Sequence, residues 1–360
     1  MAKFALSGIK ISGIQCAVPK HQLKTTSFYS VFGQNAVDSF MKMTGVINTH
    51  RSVEEQTASD LCFVAARELI QNKKLNLDEI GALVFISQTP DYVLPATAFV
   101  LHHRLGLSKN CMVFDVNLGC SGYVYGLNIV GSMMKTANIQ KAIVLFGDTS
   151  TKTTAPEDRS AIMLFGDSGT ATLLEKDDSS SLKGELMSDG DGYKAIILYA
   201  GAYRNRFGSH ERVEWADGIK RSDYDGYMNG TDVFSFSVTK VPRLIKTYLM
   251  DEGKTPDDYD ALILHQGNLY MLEQIAKKTK FDMAKVPLSL SKYGNTSGGS
   301  IPITLCDAYG DKPYGSLRVL MCGFGIGLSW GVAEADINVE DIYPIIETDE
   351  YYAEGGISHG

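Results

Sequence analysis

Short apolar runs alternate with amphipathic stretches along most of the chain. Runs such as 82–86 and 142–146 are rich in aliphatic residues and are bounded by polar residues or glycine, a pattern typical of buried strands. Between such runs, apolar residues recur at helical spacing, as in 269–276, and Asn268 is a suitable N-cap for that helix. The alternation predicts an α/β fold.

Two segments of the chain show the same order of patterns, which indicates an internal duplication. Run 78–88 has an acidic turn, an aliphatic strand and a polar residue followed by Gln, and run 257–266 repeats this order. The runs 142–147 and 318–323 both end in Gly and both precede a Gly-rich second strand. One match could be a chance similarity between short aliphatic strands, but several matches in the same order favour duplication.

The repeats predict three parts of the chain. Residues 1–176 form an N-terminal half, residues 177–336 form a second half, and residues 337–360 form an acidic C-terminal extension. The acidic and serine-rich stretch 175–181 is the predicted join between the halves. The extension lacks a strong period, so we expect it to pack on the surface or to fray.

Length and charge narrow the class of protein. The chain has 360 residues, enough for two domains or for one large domain made of two halves. A net charge of −8 argues against nucleic acid as the main partner. Because no apolar run reaches about 18 residues, no membrane span is expected. The first 19 residues have the pattern of a strand rather than of a signal peptide.

The six cysteines form no CxxC pair and no zinc-like spacing. We therefore expect reduced thiols, a cytoplasmic location and no metal site. By count alone, each cysteine is most simply a small buried hydrophobic residue.

Cys120 differs from the others because it lies at a predicted strand-to-helix joint, in the run FDVNLGCSG at 114–122. The N-terminus of a helix favours a thiolate, so a lowered pKa and a nucleophilic role are expected there. Gly119 and Gly122 allow a tight turn and the close approach of a substrate. Local sequence alone leaves the buried structural cysteine as an alternative.

Two later positions could assist a nucleophile. His265 ends the aliphatic strand 261–264, and polar residues at such strand ends commonly form sites in α/β sheets. Asn295 lies in a Gly- and Ser-rich turn after a predicted strand at 286–290. The alternatives are a satisfied structural histidine and a flexible turn. Papain-like proteases use Cys, His and Asn in this order, but they lack the duplicated α/β pattern.

The glycine loop 323–327 could provide backbone N–H groups to an oxyanion, together with the N–H of Cys120. It lacks the Gly-Lys-Ser/Thr ending of a phosphate loop.

With these residues in view, the sequence resembles the β-ketoacyl-acyl-carrier-protein synthase III family of thiolase-fold condensing enzymes over roughly residues 5–335. The resemblance implies a five-layered α-β-α-β-α fold, a homodimer and a buried active site near the dimer interface. The motifs that carry it are Thr44-Gly45-Val46, Asp115 to Gly122, Asp158-Arg159, Phe165-Gly166-Asp167, His265-Gln266-Gly267-Asn268 and Gly294-Asn295-Thr296-Ser297.

The resemblance implies a role for each candidate residue. Cys120 would carry the acyl group, and the amides of Cys120 and Ile326 would hold its carbonyl oxygen. His265 and Asn295 would stabilise the enolate formed when a malonyl thioester loses CO2. The implied activity is the condensation of an acyl thioester starter with malonyl-acyl-carrier protein, in fatty acid or related acyl-chain biosynthesis, without a permanently bound cofactor.

The positions that would bind the donor depart from the family pattern. Phe40, Ile47 and Tyr270 stand where the family has a tryptophan and two arginines, whereas Arg159 is retained. The loss of a cationic stack should weaken the binding of coenzyme A. Either acyl-coenzyme A or an acyl carrier protein could therefore deliver the starter.

An acidic carrier protein would need a local basic patch. The candidates are Lys240, Arg243 and Lys246 on one helix and Lys277, Lys278 and Lys280 on another, with ordinary solvated helix faces as the alternative. By alignment with the family, Leu94 and Met228 would line the acyl pocket.

Two other functions stay open on this sequence. An enzyme of the same fold could pass the acyl group from Cys120 to an amine or alcohol acceptor. A catalytically silent partner in a heterodimer is the third possibility, but the intact Cys, His and Asn set argues against it.

Overall fold

The computed structural model describes residues 2–353, which form a mixed α/β fold. The strands are β1 (Ala2–Pro19), β2 (Gln22–Lys24), β3 (Asn48–His50), β4 (Ile80–Ile86), β5 (Met112–Val116), β6 (Lys141–Asp148), β7 (Ser168–Ser188), β8 (Ile196–Leu198), β9 (Val213–Glu214), β10 (Lys220–Arg221), β11 (Gly226–Met228), β12 (Ala261–Leu264), β13 (Ser316–Gly325), β14 (Ser329–Asn338) and β15 (Ile346–Thr348). The α-helices are α1 (Tyr29–Phe32), α2 (Gln34–Thr44), α3 (Ala58–Asn72), α4 (Thr97–Leu105), α5 (Gly122–Thr136), α6 (Arg159–Ile162), α7 (Gly230–Asp251), α8 (Leu269–Thr279), α9 (Leu290–Tyr293) and α10 (Ser300–Tyr309).

The main sheet has the strand order β12-β13-β14-β7-β6-β4-β5, and β1 and β15 lie beside this path. The predicted duplication is visible in the pairing. Strand β4 is parallel to β6, and β6 is antiparallel to β7. In the same way, β12 is parallel to β13, and β13 is antiparallel to β14.

The long strands β1 and β7 join the two parts of the sheet. They pair antiparallel from Ala2 opposite Leu186 to Ala17 opposite Gly169. One end of β7 pairs with β6 and the other end pairs with β14. The predicted join at 175–181 therefore lies within a strand, at a shift in register with β1. The division into halves at residue 176 stays a prediction.

Alternating side chains of the strands divide the core into three apolar clusters. Val84 points to a central cluster that includes α5 and α10, whereas Leu83 points to an outer cluster that includes α3 and α4. In the second part of the sheet, Ile263 points to the central cluster and Leu262 to an outer cluster with α7 and α8. The two parts of the sheet and the three helical layers make the expected five-layered arrangement.

The strand expected at 286–290 is wrong. The segment runs from a short 3-10 turn into helix α9, and Pro287 cannot donate a backbone hydrogen bond to a sheet. The Ser289 N–H instead donates to the Gln266 side-chain oxygen at 3.1 Å. Side-chain hydrogen bonding thus replaces sheet pairing before Asn295.

Part of the acidic extension belongs to the fold. Strand β15 pairs parallel with β1, where Ala17 lies opposite Ile346. Tyr352 also anchors the extension, because its N–H donates to Asp60 at 2.9 Å and its ring lies under Arg104. The rest of the predicted extension, 354–360, lies outside the described residues. Within residues 2–353, none of the helices has both the length and the apolar character that a bilayer crossing requires.

Candidate active site

Cys120 lies in the turn between β5 and α5, and its side chain is buried. The Gly122 N–H donates to the Gly119 carbonyl at 2.7 Å, which closes the turn. Gly325, at the end of β13, passes directly over the sulfur. A Cβ atom at Gly325 would lie 2.9 Å from the Cys120 Sγ, so a larger residue there would displace the thiol.

The environment of Cys120 does not produce the expected low pKa. Burial raises the pKa of the thiol to about 11, and the negative charge of Asp148 adds to that increase. The Ser297 hydroxyl and the backbone N–H groups of Ile326 and Cys120 act in the opposite direction. Because burial outweighs these donors, the expectation of a lowered pKa is wrong, and the thiol is protonated at neutral pH.

The predicted oxyanion donors lie beside the thiol. The Ile326 N–H and the Cys120 N–H both face the sulfur, where the carbonyl oxygen of a bound thioester would lie. Ser329 fixes this turn because its hydroxyl donates to the Ile326 carbonyl at 2.7 Å. The Ser329 hydroxyl also lies 2.7 Å from the hydroxyl of Ser121, next to the nucleophile.

His265 follows β12 directly, and its N–H donates to the Cys322 carbonyl at 2.8 Å. The ring is buried, meets the Phe324 ring edge-on at 5.3 Å and has Nδ1 2.8 Å from the Ser300 hydroxyl. Burial lowers the pKa of His265 to about 4. The imidazole is therefore neutral at physiological pH.

Ser300 controls which nitrogen of His265 carries the proton. Its hydroxyl lies 2.9 Å from the Ser297 carbonyl as well as 2.8 Å from Nδ1 of His265. If the hydroxyl donates to Nδ1, then Nε2 carries the N–H and can stabilise a negative oxygen. If the hydroxyl donates to the Ser297 carbonyl, Nδ1 carries the proton and Nε2 is a base.

Asn295 is buried in the turn that follows α9, where it forms an isolated bridge with Phe165. Its N–H donates to the Leu164 carbonyl at 2.9 Å, and its carbonyl accepts from the Gly166 N–H at 3.0 Å. The side-chain oxygen accepts from the Ser297 N–H at 2.9 Å. The oxygen is thus occupied, and the NH2 group of the amide is left as the donor toward the site.

Ser297 links the predicted site residues to one another. Its hydroxyl faces Cys120, its N–H binds Asn295, and its carbonyl interacts with the His265 ring. The structure therefore brings Cys120, His265, Asn295 and Ile326 together around one loop. Our sequence reasoning gave no role to Ser297, although it lies in the Gly294 to Ser297 motif, and it also missed Ser300 and Asp148.

The two predicted acyl-pocket residues differ in their exposure. Leu94 is 74% exposed in the loop between β4 and α4. Met228 is half-buried on β11 and packs against the outer cluster that includes α7. Their role in holding an acyl chain stays a prediction.

The predicted donor-binding positions differ in how accessible they are. Phe40 is buried in the core, so little of its ring is free to stack on a nucleotide. Arg159 is exposed at the first residue of α6, and Ile47 is also exposed. Tyr270 is half-exposed and stacks on Phe234, with the ring centroids 5.7 Å apart.

The predicted basic patch contains a groove between α7 and α8. Its volume is about 540 Å³, and Arg243, Lys246 and Lys278 contribute to its lining. Lys240 and Lys277 are exposed on the same two helices. Positive charge is therefore concentrated along this pair of helices.

Comparisons with known proteins agree with the fold. The family described as 3-oxoacyl-[acyl-carrier-protein (ACP)] synthase III matches residues 114–190, and its C-terminal model matches residues 249–336. The first match contains Cys120, and the second contains His265 and Asn295.

Individual relatives match over most of their length. A putative 3-oxoacyl-[acyl-carrier-protein] synthase 3 from Campylobacter jejuni is 31% identical over 342 residues, which cover 93% of this chain and 95% of that protein. The β-ketoacyl-[acyl-carrier-protein] synthase III from Clostridioides difficile is 32% identical over 292 residues, covering 81% of this chain and 87% of that protein. The crystal structure of a 3-oxoacyl-(acyl-carrier protein) synthase from Burkholderia xenovorans has a TM-score of 0.90 and 34% identity, with 96% of this chain and 99% of that chain covered.

The five-layered fold and these relatives define a condensing acyltransferase of the thiolase fold. With these relatives along nearly its whole length, the chain belongs to the β-ketoacyl-acyl-carrier-protein synthase III family.

Proposed function

We propose that the protein condenses an acyl thioester starter with malonyl-acyl-carrier protein, through an acyl group held on Cys120, in fatty acid or related acyl-chain biosynthesis. One observation carries this proposal. The loop at Ser297 joins a buried thiol to two neutral nitrogen groups, those of His265 and Asn295. A thiol can take up an acyl group, and neutral donors can stabilise the charge that decarboxylation produces.

In the first half-reaction, the Cys120 sulfur attacks the carbonyl carbon of the starter thioester. The backbone N–H groups of Cys120 and Ile326 stabilise the oxygen as it becomes negative. The donor thiolate leaves, and the acyl group stays on the sulfur as a new thioester.

In the second half-reaction, the malonyl thioester loses CO2 and becomes an enolate. His265 Nε2–H and the Asn295 amide donate to the enolate oxygen, and this requires that the Ser300 hydroxyl donates to His265 Nδ1. A histidine whose pKa is about 4 is suited to this role, because it is neutral and need not lose a proton. The enolate carbon then attacks the acyl group on Cys120.

The surface supports a carrier protein as one partner. Carrier proteins are acidic, and the groove lined by Arg243, Lys246 and Lys278 provides opposite charge. Burial of Phe40 and the stacking of Tyr270 on Phe234 favour a carrier-bound starter over coenzyme A. The enzyme needs only these thioester substrates and no permanently bound cofactor.

A homodimer is supported by the edge of the main sheet. Strand β5 ends the strand order, and no strand within residues 2–353 pairs with its outer edge, which leaves that edge to a second copy. Large apolar side chains are exposed nearby, including Leu94, Phe99 and Met112. Sedimentation of the purified protein should give the mass of two chains.

The six free cysteines fit a reducing cytoplasm.

One experiment tests the proposed reaction. The protein is incubated separately with acyl-coenzyme A and acyl-carrier-protein donors, and the adduct is located by intact mass and peptide mapping. Malonyl-carrier protein is then added and CO2 release is measured. We expect an adduct on Cys120 followed by CO2 release. An adduct without CO2 release would favour transfer to an amine or alcohol, and the absence of an adduct with every donor would contradict the proposal.

A further inference from the structure

Asp148 is a buried carboxylate at the end of β6, close to the nucleophile turn but outside the Cys, His and Asn set. One of its oxygens, Oδ1, accepts from the Gln88 N–H at 2.7 Å and from the Ser87 hydroxyl at 3.1 Å. The charge of Asp148 acts directly on the Cys120 thiol. The carboxylate is therefore part of the electrostatic environment of the sulfur.

The other oxygen of Asp148 can accept a further hydrogen bond. Oδ2 is buried, and among the described residues it has no close hydrogen-bond donor. The Ser297 hydroxyl and the Gly298 N–H also interact with the carboxylate, and of its hydrogen-bonding partners the Ser297 hydroxyl opposes the increase in the pKa of Asp148 most strongly. Asp148 thus combines a buried oxygen that has no hydrogen-bond partner among the described residues with a neighbouring hydroxyl group, that of Ser297.

The Ser297 hydroxyl stands between the two groups. It interacts with the Cys120 sulfur and also with the Asp148 carboxylate. Its backbone is held by the bond from its N–H to the Asn295 side-chain oxygen, in a left-handed conformation with a φ of 50°. Such a conformation is uncommon for a residue other than glycine and fixes where the side chain points.

We propose that Asp148 accepts the Cys120 proton through the Ser297 hydroxyl as the sulfur takes up the acyl group. This inference rests on the proposed acylation of Cys120. The buried thiol is protonated at neutral pH, so its attack requires an acceptor for the proton. His265 is held on the other side of the loop by Ser300 and is left free for the enolate.

The proton balance closes over the full reaction. As the Cys120 S–H bond breaks, its proton passes to Ser297 Oγ, and the Ser297 proton passes to Asp148. The carbon–sulfur bond to Cys120 forms, and the donor thiolate that leaves takes a proton from solvent. After condensation, Cys120 leaves as a thiolate and recovers the proton from Asp148 through Ser297.

Two titratable groups face Asp148. Cys120 faces it from the nucleophile turn, and Cys62 faces it from α3. Burial raises the pKa of Cys62 strongly, so that thiol stays neutral near Asp148. Burial also raises the pKa of Asp148 itself, which makes it a better proton acceptor than an exposed carboxylate.

The test is the pH profile of Cys120 acylation in Asp148→Asn and Ser297→Ala. The amide oxygen of Asp148→Asn can still accept from Gln88 and Ser87, so the fold is retained. We expect the wild-type rate to be level between about pH 7 and pH 9. In both variants, acylation should be about 10²-fold slower at pH 7, since general base catalysis contributes about that much. Their rates should rise about tenfold per pH unit, because hydroxide then removes the proton.

A second readout needs no acyl donor. Alkylation of Cys120 by iodoacetamide should show the same level profile in the wild type and the same slope in both variants. A wild-type enzyme that alkylates in this way but accepts no thioester donor would contradict the proposed function and leave the proton path intact. Thermal unfolding checks that each variant is folded, and Ser297→Ala tests the path if Asp148→Asn is not.

Asp167→Asn is the matched control. Asp167 is a buried carboxylate bound to the Thr151 hydroxyl at 2.6 Å and to the Ser52 N–H at 2.8 Å. It should keep the level pH profile of the wild type. Three results would overturn the proposal: wild-type rates in Asp148→Asn at every pH, a loss by the same factor at every pH, or a sloping profile in Asp167→Asn.

Discussion

The ends of β4 and β12 occupy equivalent places in the two halves of the fold, and they hold opposite kinds of chemistry. Strand β4 is followed by Ser87 and Gln88, which donate to the buried anion Asp148 beside the thiol. Strand β12 is followed by His265, a neutral ring positioned by Ser300.

In the proposed reaction, this difference assigns the two ends of the duplicated architecture to different half-reactions. The first half of the chain contributes the thiol and a negative group, which suits proton removal and acyl transfer. The second half contributes neutral donors, which suit the stabilisation of an enolate. Substitutions of Cys120 or Asp148 should therefore affect acylation, and substitutions of His265 or Asn295 should affect condensation. Ser297 and Ile326 come from the second half of the chain but are expected to act in acylation.

Replacing the nucleophile should have the largest effect. In Cys120→Ala, no sulfur remains to accept the acyl group, so the mass adduct and the condensation product should both be absent. Intact mass spectrometry after incubation with the donor measures this. Cys322→Ala is the control, because Cys322 is buried on β13 and should leave the adduct in place. An adduct of undiminished yield in Cys120→Ala would place the nucleophile elsewhere.

Removing an enolate donor should come next. Asn295→Ala should still form the adduct on Cys120 but condense about 10²- to 10³-fold more slowly, the usual loss when one oxyanion donor is removed. CO2 release from the pre-acylated variant measures the effect. Asn295→Asp keeps an acceptor for the Ser297 N–H but lacks the amide donor, so it should be equally slow. Recovery of activity in Asn295→Asp would show that the loss came from the loop and not from the donor.

Removing the hydroxyl group that positions His265 should have a moderate effect on the rate of condensation. Ser300→Ala removes the hydroxyl 2.8 Å from Nδ1, which is worth about 1 kcal/mol. The condensation kcat should fall about fivefold, with an unchanged KM for malonyl-carrier protein and unchanged acylation. Ser300→Thr retains a hydroxyl and should restore most of the rate. A rise in KM alone would indicate a role in substrate binding instead.

Reversing charge in the basic groove should have a smaller effect. Lys246→Glu should raise the KM for malonyl-carrier protein a few-fold and leave kcat unchanged, since steering and docking depend on complementary charge. The effect should shrink as salt is added. Lys312→Glu, on an exposed part of the second half away from the groove, should have a normal KM. Equal effects of the two substitutions would contradict a docking role for the groove.

The pH dependence of condensation should show the smallest change of all. Burial lowers the pKa of His265 to about 4, so its ring is neutral at every pH above about 5. Protonation begins only as the pH falls toward 4. The rate of CO2 release from pre-acylated enzyme should thus be level between pH 6 and pH 8. A step near pH 6.5 would show that His265 titrates like an exposed histidine.

The fold could be predicted because it depends on local patterns, and the same patterns singled out three site residues whose roles stay a prediction. Repeated strand motifs indicated the duplicated halves, and Cys120, His265 and Asn295 lie within short motifs. The direction of the Cys120 pKa shift could not be predicted, because it depends on burial by Gly325 and on the charge of Asp148, which are distant in sequence.

Other features depend on side-chain contacts that leave no periodic signal. The segment 286–290 has strand-like residues, but Ser289 pairs with the Gln266 side chain instead of a neighbouring strand. The position of Ser297 between Cys120 and Asp148 depends on a left-handed backbone conformation. In a sequence, glycine is the main indication of such a conformation, and this position has a serine.

The proposed separation between the residues that serve acylation and those that serve condensation has one most direct test. It is the fraction of Cys120 that carries an acyl group in His265→Ala during turnover. The variant is mixed with the acyl donor and malonyl-carrier protein, quenched at short times and analysed by mass spectrometry while CO2 is measured. We expect Cys120 to be almost fully acylated while CO2 release is about 10²-fold slower than in the wild type. An unacylated Cys120, or CO2 release at the wild-type rate, would contradict the account.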